Sequence, residues 1–474
     1  MNTSAASCPS SREPSRCWSR RSLLVLGVSV FVALYQWAYI HFVSQTYNNY
    51  GFNYQPVPGF YVVLAWLLAI LPSLWMPIRL TRASQLAYWV LYLTVIIPSI
   101  FVPLFVGLNR PDEIVPLMVA MCAGAGILGL GYLFPLRSFR FFTISPTTFW
   151  TGFAILAGAC TLMIVVFFWG NMHLVSFADI YDLRNDAQDR GPVLNYALMW
   201  SYGAIYPFLI AWGLYFRRWL LFLLGSLGQV LVYSCFGTKA SLLSIVFITG
   251  LYGLFRLKRG TFPLKLVWTV AGIFFVLCAI FLAEGEEADV VTLLLMFLVM
   301  FRSFGLSGLL TGQYYYFFQH NPHTYFAHLK VVNWFVHYPY HYVLGTEIGY
   351  YFYGFQLDTT AHFWATDGLA ALGLPGILLA SAVCAFLFWI IDSAAARHEA
   401  RFAGLVTFYA TYSLANLSLF TTFLSGGLGL LVLFLYVLQP ATGAPRARSA
   451  AMQKAVTPAL GMGAVGIEAS PDTA

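Results

Sequence analysis

The chain has 474 residues, of which 60% are hydrophobic, 18% aromatic and only 9% charged. So little charge does not cover the surface of a soluble protein of this length. The composition therefore excludes a soluble enzyme and favours a membrane protein. The seven cysteines show no spacing typical of a disulfide framework or a zinc site, and small apolar packing explains them.

Apolar stretches of about 17–25 residues, the length that crosses a bilayer, predict about twelve transmembrane helices. The predicted fold class is therefore all-α, a polytopic membrane helix bundle. In chain order the predicted spans are 22–43, 60–80, 86–107, 115–134, 148–170, 195–216, 219–236, 239–256, 264–283, 366–391, 402–421 and 424–438.

The two ends of the chain are predicted to be tails. Residues 1–21 precede the first apolar run, which is too long for the apolar region of a typical signal peptide. No small-x-small cleavage site follows this run, so we expect an uncleaved first span after a cytoplasmic tail. Residues 441–474 are rich in Ala, Gly, Pro and Ser, a composition typical of a disordered tail.

The distribution of Lys and Arg predicts the orientation. The loops on one side carry nineteen basic and five acidic residues, whereas the other side carries six basic and thirteen acidic residues. Cytoplasmic loops collect Lys and Arg, so the first side is predicted to be cytoplasmic. Both termini fall on that side, which agrees with an even number of spans.

Two segments on the outer side are too long to be simple connections, 171–194 and 284–365. Loops of this length in compact proteins are usually functional. The longer one contains an apolar run, 290–301, which is too short to span and which we predict to be a re-entrant or interfacial helix. We therefore expect nine spans within 22–283, a large periplasmic loop at 284–365, and three spans within 366–440.

The predicted periplasmic loop is rich in aromatic and histidine side chains. Those that we single out as candidate substrate-binding residues are Tyr314, Tyr315, His337, His341 and His362. Aromatic faces pack against sugar rings, but an aromatic belt at the level of the lipid headgroups has the same composition, and both interpretations stay open. His337 and His341 have the interval of a metal-binding helical pair, but Pro339 between them disturbs such a helix, so we expect no metal site.

Six basic residues remain on the outer side against the general bias. They are Arg110, Arg184, Arg190, Lys239, Arg302 and Lys330. Translocating a basic residue is unfavourable, so those that stay outside are expected to have a task, and phosphate binding is the obvious one. We expect Arg110 and Lys330 to be ordinary loop charges.

Three of these residues are the strongest candidates. Arg302 directly follows the apolar run 290–301, a place where an unpaired charge is costly. Lys239 follows Gly237 in a tight turn and stands where a helix begins, which is a favourable place for an anion, although snorkelling to lipid headgroups is the alternative. Arg184 lies between two aspartates, so a local ion pair competes with a catalytic role. We assign Arg302 and Arg184 to catalysis, and Lys239 and Arg190 to substrate binding.

Several cations at the outer membrane surface suit a lipid-bound pyrophosphate as ligand. Glycosyl transfer from such a donor would also need a base for the acceptor hydroxyl. Asp367, in the stretch HFWATDGLAALGLPG, begins the tenth predicted span at the outer surface. It is our candidate catalytic base, and a helix N-cap is the alternative role.

The order of these features resembles the O-antigen, or oligosaccharide repeat-unit, polymerase family of integral membrane glycosyltransferases. Four stretches carry the resemblance: IYDLRNDAQDRGPVLNYALMWSYGAIYPFLIA at 180–211, FGTKASLL at 236–243, FRSFGLSGLLTGQYYYFF at 301–318, and HFWATDGLAALGLPGILL at 362–379. By this resemblance Arg184, Lys239 and Arg302 take the positions of the family's functional basic residues.

The resemblance implies a GT-C-like helix bundle that joins undecaprenyl-pyrophosphate-linked repeat units on the periplasmic face of the bacterial inner membrane. It implies no metal or other cofactor and no nucleic acid. The implied partners are lipid-linked oligosaccharides, membrane lipids, a chain-length regulator and a flippase. Two alternatives stay open, namely a ligase that moves a lipid-linked glycan onto a lipid core, and a transporter of the same lipid-linked oligosaccharide.

Overall fold

The computed structural model describes residues 13–136, 142, 144–170, 191–257, 260–285 and 289–439. The described residues form helices and no β-strand. Ten of these helices are long and apolar enough to cross a membrane, as expected of a multi-pass membrane protein. The predicted all-α helix bundle is confirmed.

The helices are numbered in chain order. They are α1 (Ser19–Thr46), α2 (Gly59–Leu74), α3 (Ser84–Val106), α4 (Pro111–Leu133), α5 (Pro146–Phe168), α6 (Pro192–Tyr215), α7 (Trp219–Phe236), α8 (Lys239–Arg256), α9 (Phe262–Glu284), α10 (Val290–His320), α11 (Leu344–Tyr353), α12 (Leu374–Ala395), α13 (Ala400–Tyr412), α14 (Leu419–Leu424) and α15 (Leu428–Val437). The helix of α1 begins upstream, at Glu13. The core is formed where these helices pack, and α3 lies at its centre because its most apolar window is completely buried.

Nine of the twelve predicted spans coincide with helices of membrane-spanning length. The other three predicted spans are shorter in the structure. The span 60–80 ends at Leu74, the span 402–421 stops being α-helical after Tyr412, and the span 424–438 is the ten-residue helix α15.

Helices α1, α3 and α9 run in the same direction, as alternating crossings require. Ring pairs at successive levels are Tyr35–Phe101 and Tyr39–Phe105 between α1 and α3, and Phe31–Phe274 and Trp37–Phe281 between α1 and α9. The segment after α10 lies where these three helices finish, because the Tyr353 hydroxyl donates to the Tyr50 carbonyl oxygen. We call this end of the bundle the long-loop end.

Helix α10 is much longer than the predicted helix 290–301. It continues past Arg302 to His320 and has 31 residues. Small residues allow this continuation, since Gly308 packs directly on α3, where a β-carbon at Gly308 would lie 2.5 Å from the Pro98 carbonyl oxygen. Hydropathy does not predict the part of α10 after Arg302, because polar and small residues lower the mean hydropathy there.

Helix α10 has its early part and its last residues near the long-loop end, and its middle lies deeper in the bundle. Phe301 packs against Tyr47, just beyond α1, with ring centroids 4.6 Å apart. Phe304 reaches Phe31 in the middle of α1, at 5.6 Å, and Gln319 forms a hydrogen bond just beyond the end of α3. Helix α10 therefore bends into the bundle and returns to the same end, although its length alone would suffice to cross a membrane.

A buried aspartate at the opposite end joins α12 to α3. Asp392 is 2% exposed, and its carboxylate accepts hydrogen bonds from the Ser84 backbone N–H at 2.8 Å and the Ser84 hydroxyl at 2.7 Å. Asp392 thereby caps the first turn of α3 from another helix, a function that a carboxylate performs well.

Asp392→Ala is expected to lower the free energy of unfolding by about 2 kcal/mol, because the Ser84 N–H is left buried and unpaired. Thermal unfolding of the purified protein in detergent measures this loss. Asp112→Ala is the control, since Asp112 pairs with Arg110 on the surface and such pairs contribute about 0–1 kcal/mol. Equal midpoints for Asp392→Ala and the wild type would contradict the capping role.

Candidate functional site

Arg302 lies at the centre of the most irregular helical segment that the structure describes. Residues Phe297–Gly305 of α10 form a π-helix of nine residues. π-Helical segments are rare and occur frequently at functional sites. Four more occur among the described residues: Tyr39–Val43, Tyr92–Ile96, Ser201–Ile205 and Trp364–Leu369. The longest one carries the arginine that the sequence marks as most costly.

Arg302 is exposed and lies beside α13. The hydroxyl of Tyr412 lies close to Ser303 and Arg302. No carboxylate of the described residues pairs with Arg302. Arg110 differs, because it contacts Asp112 at 2.7 Å and Glu113 at 3.2 Å. Arg302 therefore keeps its hydrogen-bond donors available for an anion that it does not find among these residues.

The chain beside Arg302 breaks into short pieces. Helix α13 has thirteen residues and α15 has ten, so they rise about 20 Å and about 15 Å, less than the roughly 30 Å hydrocarbon core of a bilayer. Both lie towards the opposite end, since Gly404 in α13 packs on the start of α3 and Leu435 in α15 accepts a hydrogen bond from His398. The turns between them consequently lie inside the bundle.

The first of these turns is polar. We call residues 413–418, SLANLS, the polar break. Its Asn416 is exposed, and its backbone N–H bonds to Ser413 in a single 3-10 turn. The polar break therefore presents an amide side chain four residues beyond Tyr412, on the same chain segment that borders Arg302.

Lys239 begins α8, as predicted. Gly237 ends α7 with a left-handed φ of 63°, which permits the tight turn. Lys239 is half-buried, and two turns further along α8 the ring of Phe247 lies 5.5 Å from the ring of Tyr412. Helix α8 thus borders the same part of α13 as Arg302 does. The other two predicted basic residues, Arg184 and Arg190, lie outside the described residues.

Asp367 is buried, at 1% exposure, whereas the sequence places it at the surface. One carboxylate oxygen accepts from the Ser418 hydroxyl at 2.8 Å and lies 3.2 Å from Nε2 of His328. The other oxygen accepts from the backbone N–H of Leu419 at 2.6 Å. Asp367 therefore caps a helix, as its alternative role predicts, but the helix is α14 rather than its own.

Three predicted binding residues of the loop lie in the core. Tyr314 is completely buried, and its hydroxyl donates to the Thr359 carbonyl oxygen. Tyr315 is 8% exposed and donates to the Glu113 carbonyl oxygen at 2.9 Å. His362 is completely buried as well. These side chains join α10 to its neighbours, and their assignment to substrate binding stays a prediction that this packing does not favour.

His337 and His341 are both exposed and stand outside helices. The structure does not bring them next to Arg302 or the polar break through any contact among the described residues. Their contribution to substrate binding likewise stays a prediction.

The buried His362 predicts a pH dependence of stability. Its Nε2 lies 2.7 Å from the Thr311 hydroxyl, and burial lowers the pKa of His362 from 6.5 to about 3. The unfolded chain binds a proton below pH 6.5 and the folded chain does not, so acid favours unfolding. The free energy of unfolding is expected to fall by about 2 kcal/mol between pH 7 and pH 5 through this group.

Thermal unfolding of the wild type and of His362→Gln at both pH values measures this effect. Glutamine keeps a neutral hydrogen-bonding side chain and does not titrate, so its midpoint is expected to change less with pH. The same pH response in both proteins would show that the pKa of His362 is not lowered in the folded chain.

The sequence indicates the polar break through three polar residues, although its hydropathy predicts an unbroken span. Ser413, Asn416 and Ser418 interrupt the apolar stretch 402–421, and Asn and Ser favour turns and caps over helix interiors. No family model, curated protein or solved structure matches this chain.

Proposed function

We propose that this protein polymerises undecaprenyl-pyrophosphate-linked oligosaccharide repeat units into O-antigen, capsule or exopolysaccharide. It is a metal-independent glycosyltransferase of the bacterial inner membrane, with both termini in the cytoplasm and the long-loop end in the periplasm. A flippase supplies the repeat units and a chain-length regulator limits the product. The resemblance of the sequence to repeat-unit polymerases suggests this activity, and the surroundings of Arg302 support it.

The observation that carries the proposal is the exposed Arg302 in the part of α10 that bends into the bundle, without a carboxylate partner among the described residues. A charge in such a place is costly unless a ligand or a cavity compensates it. Guanidinium binds phosphate through two parallel hydrogen bonds, which makes a lipid-linked diphosphate a fitting ligand.

The chemistry of the reaction needs a cation at this place. The bond between the anomeric carbon of the donor glycan and the pyrophosphate oxygen breaks, and the sugar acquires oxocarbenium character. The electron pair of the broken bond stays on the leaving pyrophosphate, where Arg302 stabilises the growing negative charge. A hydroxyl of the incoming repeat unit attacks the anomeric carbon and loses its proton to a base.

One observation favours the transporter as the second candidate. Discontinuous helices with binding sites near the middle of the membrane are typical of transporters, and α13 and α15 are two short helices separated by turns inside the bundle. A transporter would move the lipid-linked oligosaccharide without changing its length. A ligase would share the chemistry of the polymerase and differ in its acceptor.

Reconstitution into vesicles separates the three functions. The substrates are lipid-linked repeat units extracted from the organism that encodes the chain. A polymerase produces a ladder of glycans on a gel and releases undecaprenyl pyrophosphate from repeat units alone. A product formed only after addition of a lipid core would establish a ligase. Movement of the repeat unit across the vesicle membrane without elongation would establish a transporter and overturn the proposal.

A further inference from the structure

Asp367 fixes the place at which the polar break ends. Leu419 is the first residue of α14, and its N–H bonds to the Asp367 carboxylate, as does the Ser418 hydroxyl. Asp367 stands on a different element, the π-helical segment Trp364–Leu369 before α12. Because a buried carboxylate with three partners has little freedom, the chain leaving Asn416 is tied to a fixed point in the bundle.

The third partner of Asp367 comes from a strained turn. Tyr325 and Phe326 have φ angles of 48° and 64°, a left-handed conformation that costs bulky residues free energy. The Thr324 N–H bonds to the Ala370 carbonyl oxygen at 2.7 Å. His328 then places Nε2 3.2 Å from Asp367, while its Nδ1 lies 3.0 Å from the Thr324 hydroxyl. The strain persists because contacts on both sides of the turn hold it.

The same contacts argue against a proton transfer by Asp367. A general base must come within hydrogen-bonding distance of the acceptor hydroxyl. Both oxygens of Asp367 already accept hydrogen bonds from protein groups, and its exposed fraction is 1%. An acceptor sugar reaches neither oxygen without displacing α14. Asn416, in contrast, is exposed and lies between Tyr412 and Leu419, whose N–H bonds to Asp367.

We propose that Asn416 is a binding residue for the diphosphate-sugar headgroup, next to Arg302, and that Asp367 is the positioning residue that holds the polar break in place for this contact. The proposal rests on the proposed function, since it takes the same headgroup as ligand. The amide of Asn416 donates to a phosphoryl oxygen or a sugar hydroxyl. Asp367 acts through Asn416 and takes no proton from the acceptor.

The test compares three variants in binding and in turnover. The binding probe is undecaprenyl pyrophosphate, titrated into the purified full-length protein in detergent. Asn416→Ala is expected to weaken binding of the probe and to raise KM for the lipid-linked repeat unit, each about tenfold, with kcat less affected. Asp367→Ala is expected to weaken binding and raise KM to the same extent. The double variant is expected to have the same affinity and KM as either single variant, because both substitutions remove the same contact, that of Asn416 with the headgroup.

Asp367→Asn distinguishes positioning from base catalysis. Asparagine keeps an oxygen for the Leu419 N–H but accepts no proton, so this variant is expected to retain at least about a third of the wild-type activity, with an unchanged pH profile. Asp392→Asn is the matched control, since Asp392 is also buried and also caps a helix of another segment. Its KM and probe affinity are expected to equal those of the wild type, even where its thermal stability is lower.

Several results would overturn the proposal. Wild-type affinity in Asn416→Ala would remove the binding role, and an inactive but well-folded Asp367→Asn would restore the role of general base. If Asp367→Ala does not fold, Asn416→Ala still tests the binding role and Asp367→Asn still tests the positioning role. Failure of the proposed function differs from these outcomes: the wild type would then form no polymer, whatever the variants do to binding of the probe.

Discussion

Replacing Arg302 with alanine is expected to abolish glycan polymerisation while the protein still inserts at its normal level. Arg302 is exposed and has no carboxylate partner among the described residues, so its loss breaks no ion pair there. The variant loses the free energy with which Arg302 is proposed to stabilise the leaving pyrophosphate in the transition state. Removing one such electrostatic contact typically lowers turnover about 100- to 1000-fold.

The measurement is the glycan ladder and the release of undecaprenyl pyrophosphate, each normalised to the amount of folded protein. Arg110→Ala is the matched control, because Arg110 is an exposed arginine near the same end of the bundle whose charge is already paired with Asp112 and Glu113. Its polymer is expected to be of wild-type length. Normal polymer from Arg302→Ala would remove the observation on which the proposed function depends.

Arg302→Lys refines the assignment. Lysine keeps the positive charge but presents it as a point, without the planar pair of donors that fits a phosphate. Its activity is therefore expected to lie between those of the alanine variant and the wild type. Wild-type activity in Arg302→Lys would mean that charge alone matters at this place and that two parallel hydrogen bonds are not formed.

Much of the fold could be predicted from the sequence because long apolar runs have few alternatives in a membrane. The backbone of a spanning segment must satisfy its own hydrogen bonds, so such runs become helices wherever they pack. The prediction of helix ends from hydropathy fails where apolar residues are mixed with polar and small residues. Helix α10 continues through Arg302 because the glycine at 308 lets it lie against Pro98, and a window of hydropathy does not register that contact.

The candidate site was predictable only in part, for a different reason. Arg302 and Lys239 stand out because a basic residue on the predicted outer side is unfavourable to translocate, which is a property of each residue alone. Asp367 acquires its role from Leu419, which is 52 positions away in the sequence. The sequence indicates that Asp367 is suited to capping a helix, but the packing of separate segments decides which helix it caps.

Gly308→Ala is expected to destabilise the protein severely. A β-carbon on Gly308 would lie 2.5 Å from the Pro98 carbonyl oxygen and 2.7 Å from a methyl carbon of Val102. The backbone oxygen cannot move aside, so α10 must separate from α3. Overpacking of this kind typically costs about 1–3 kcal/mol and occasionally more, and the buried contact between Ser99 and Thr311 is stretched as well.

Gly250→Ala is the control, because it makes the same change in a helix with nothing within 4 Å of the added β-carbon. Alanine favours a helix over glycine by about 1 kcal/mol, so this variant is expected to be as stable as the wild type or more stable. The two substitutions thus have opposite expected signs in thermal unfolding. Equal midpoints would show that α10 does not lie directly on α3, and the position of Arg302 within the π-helical segment would then lose its structural support.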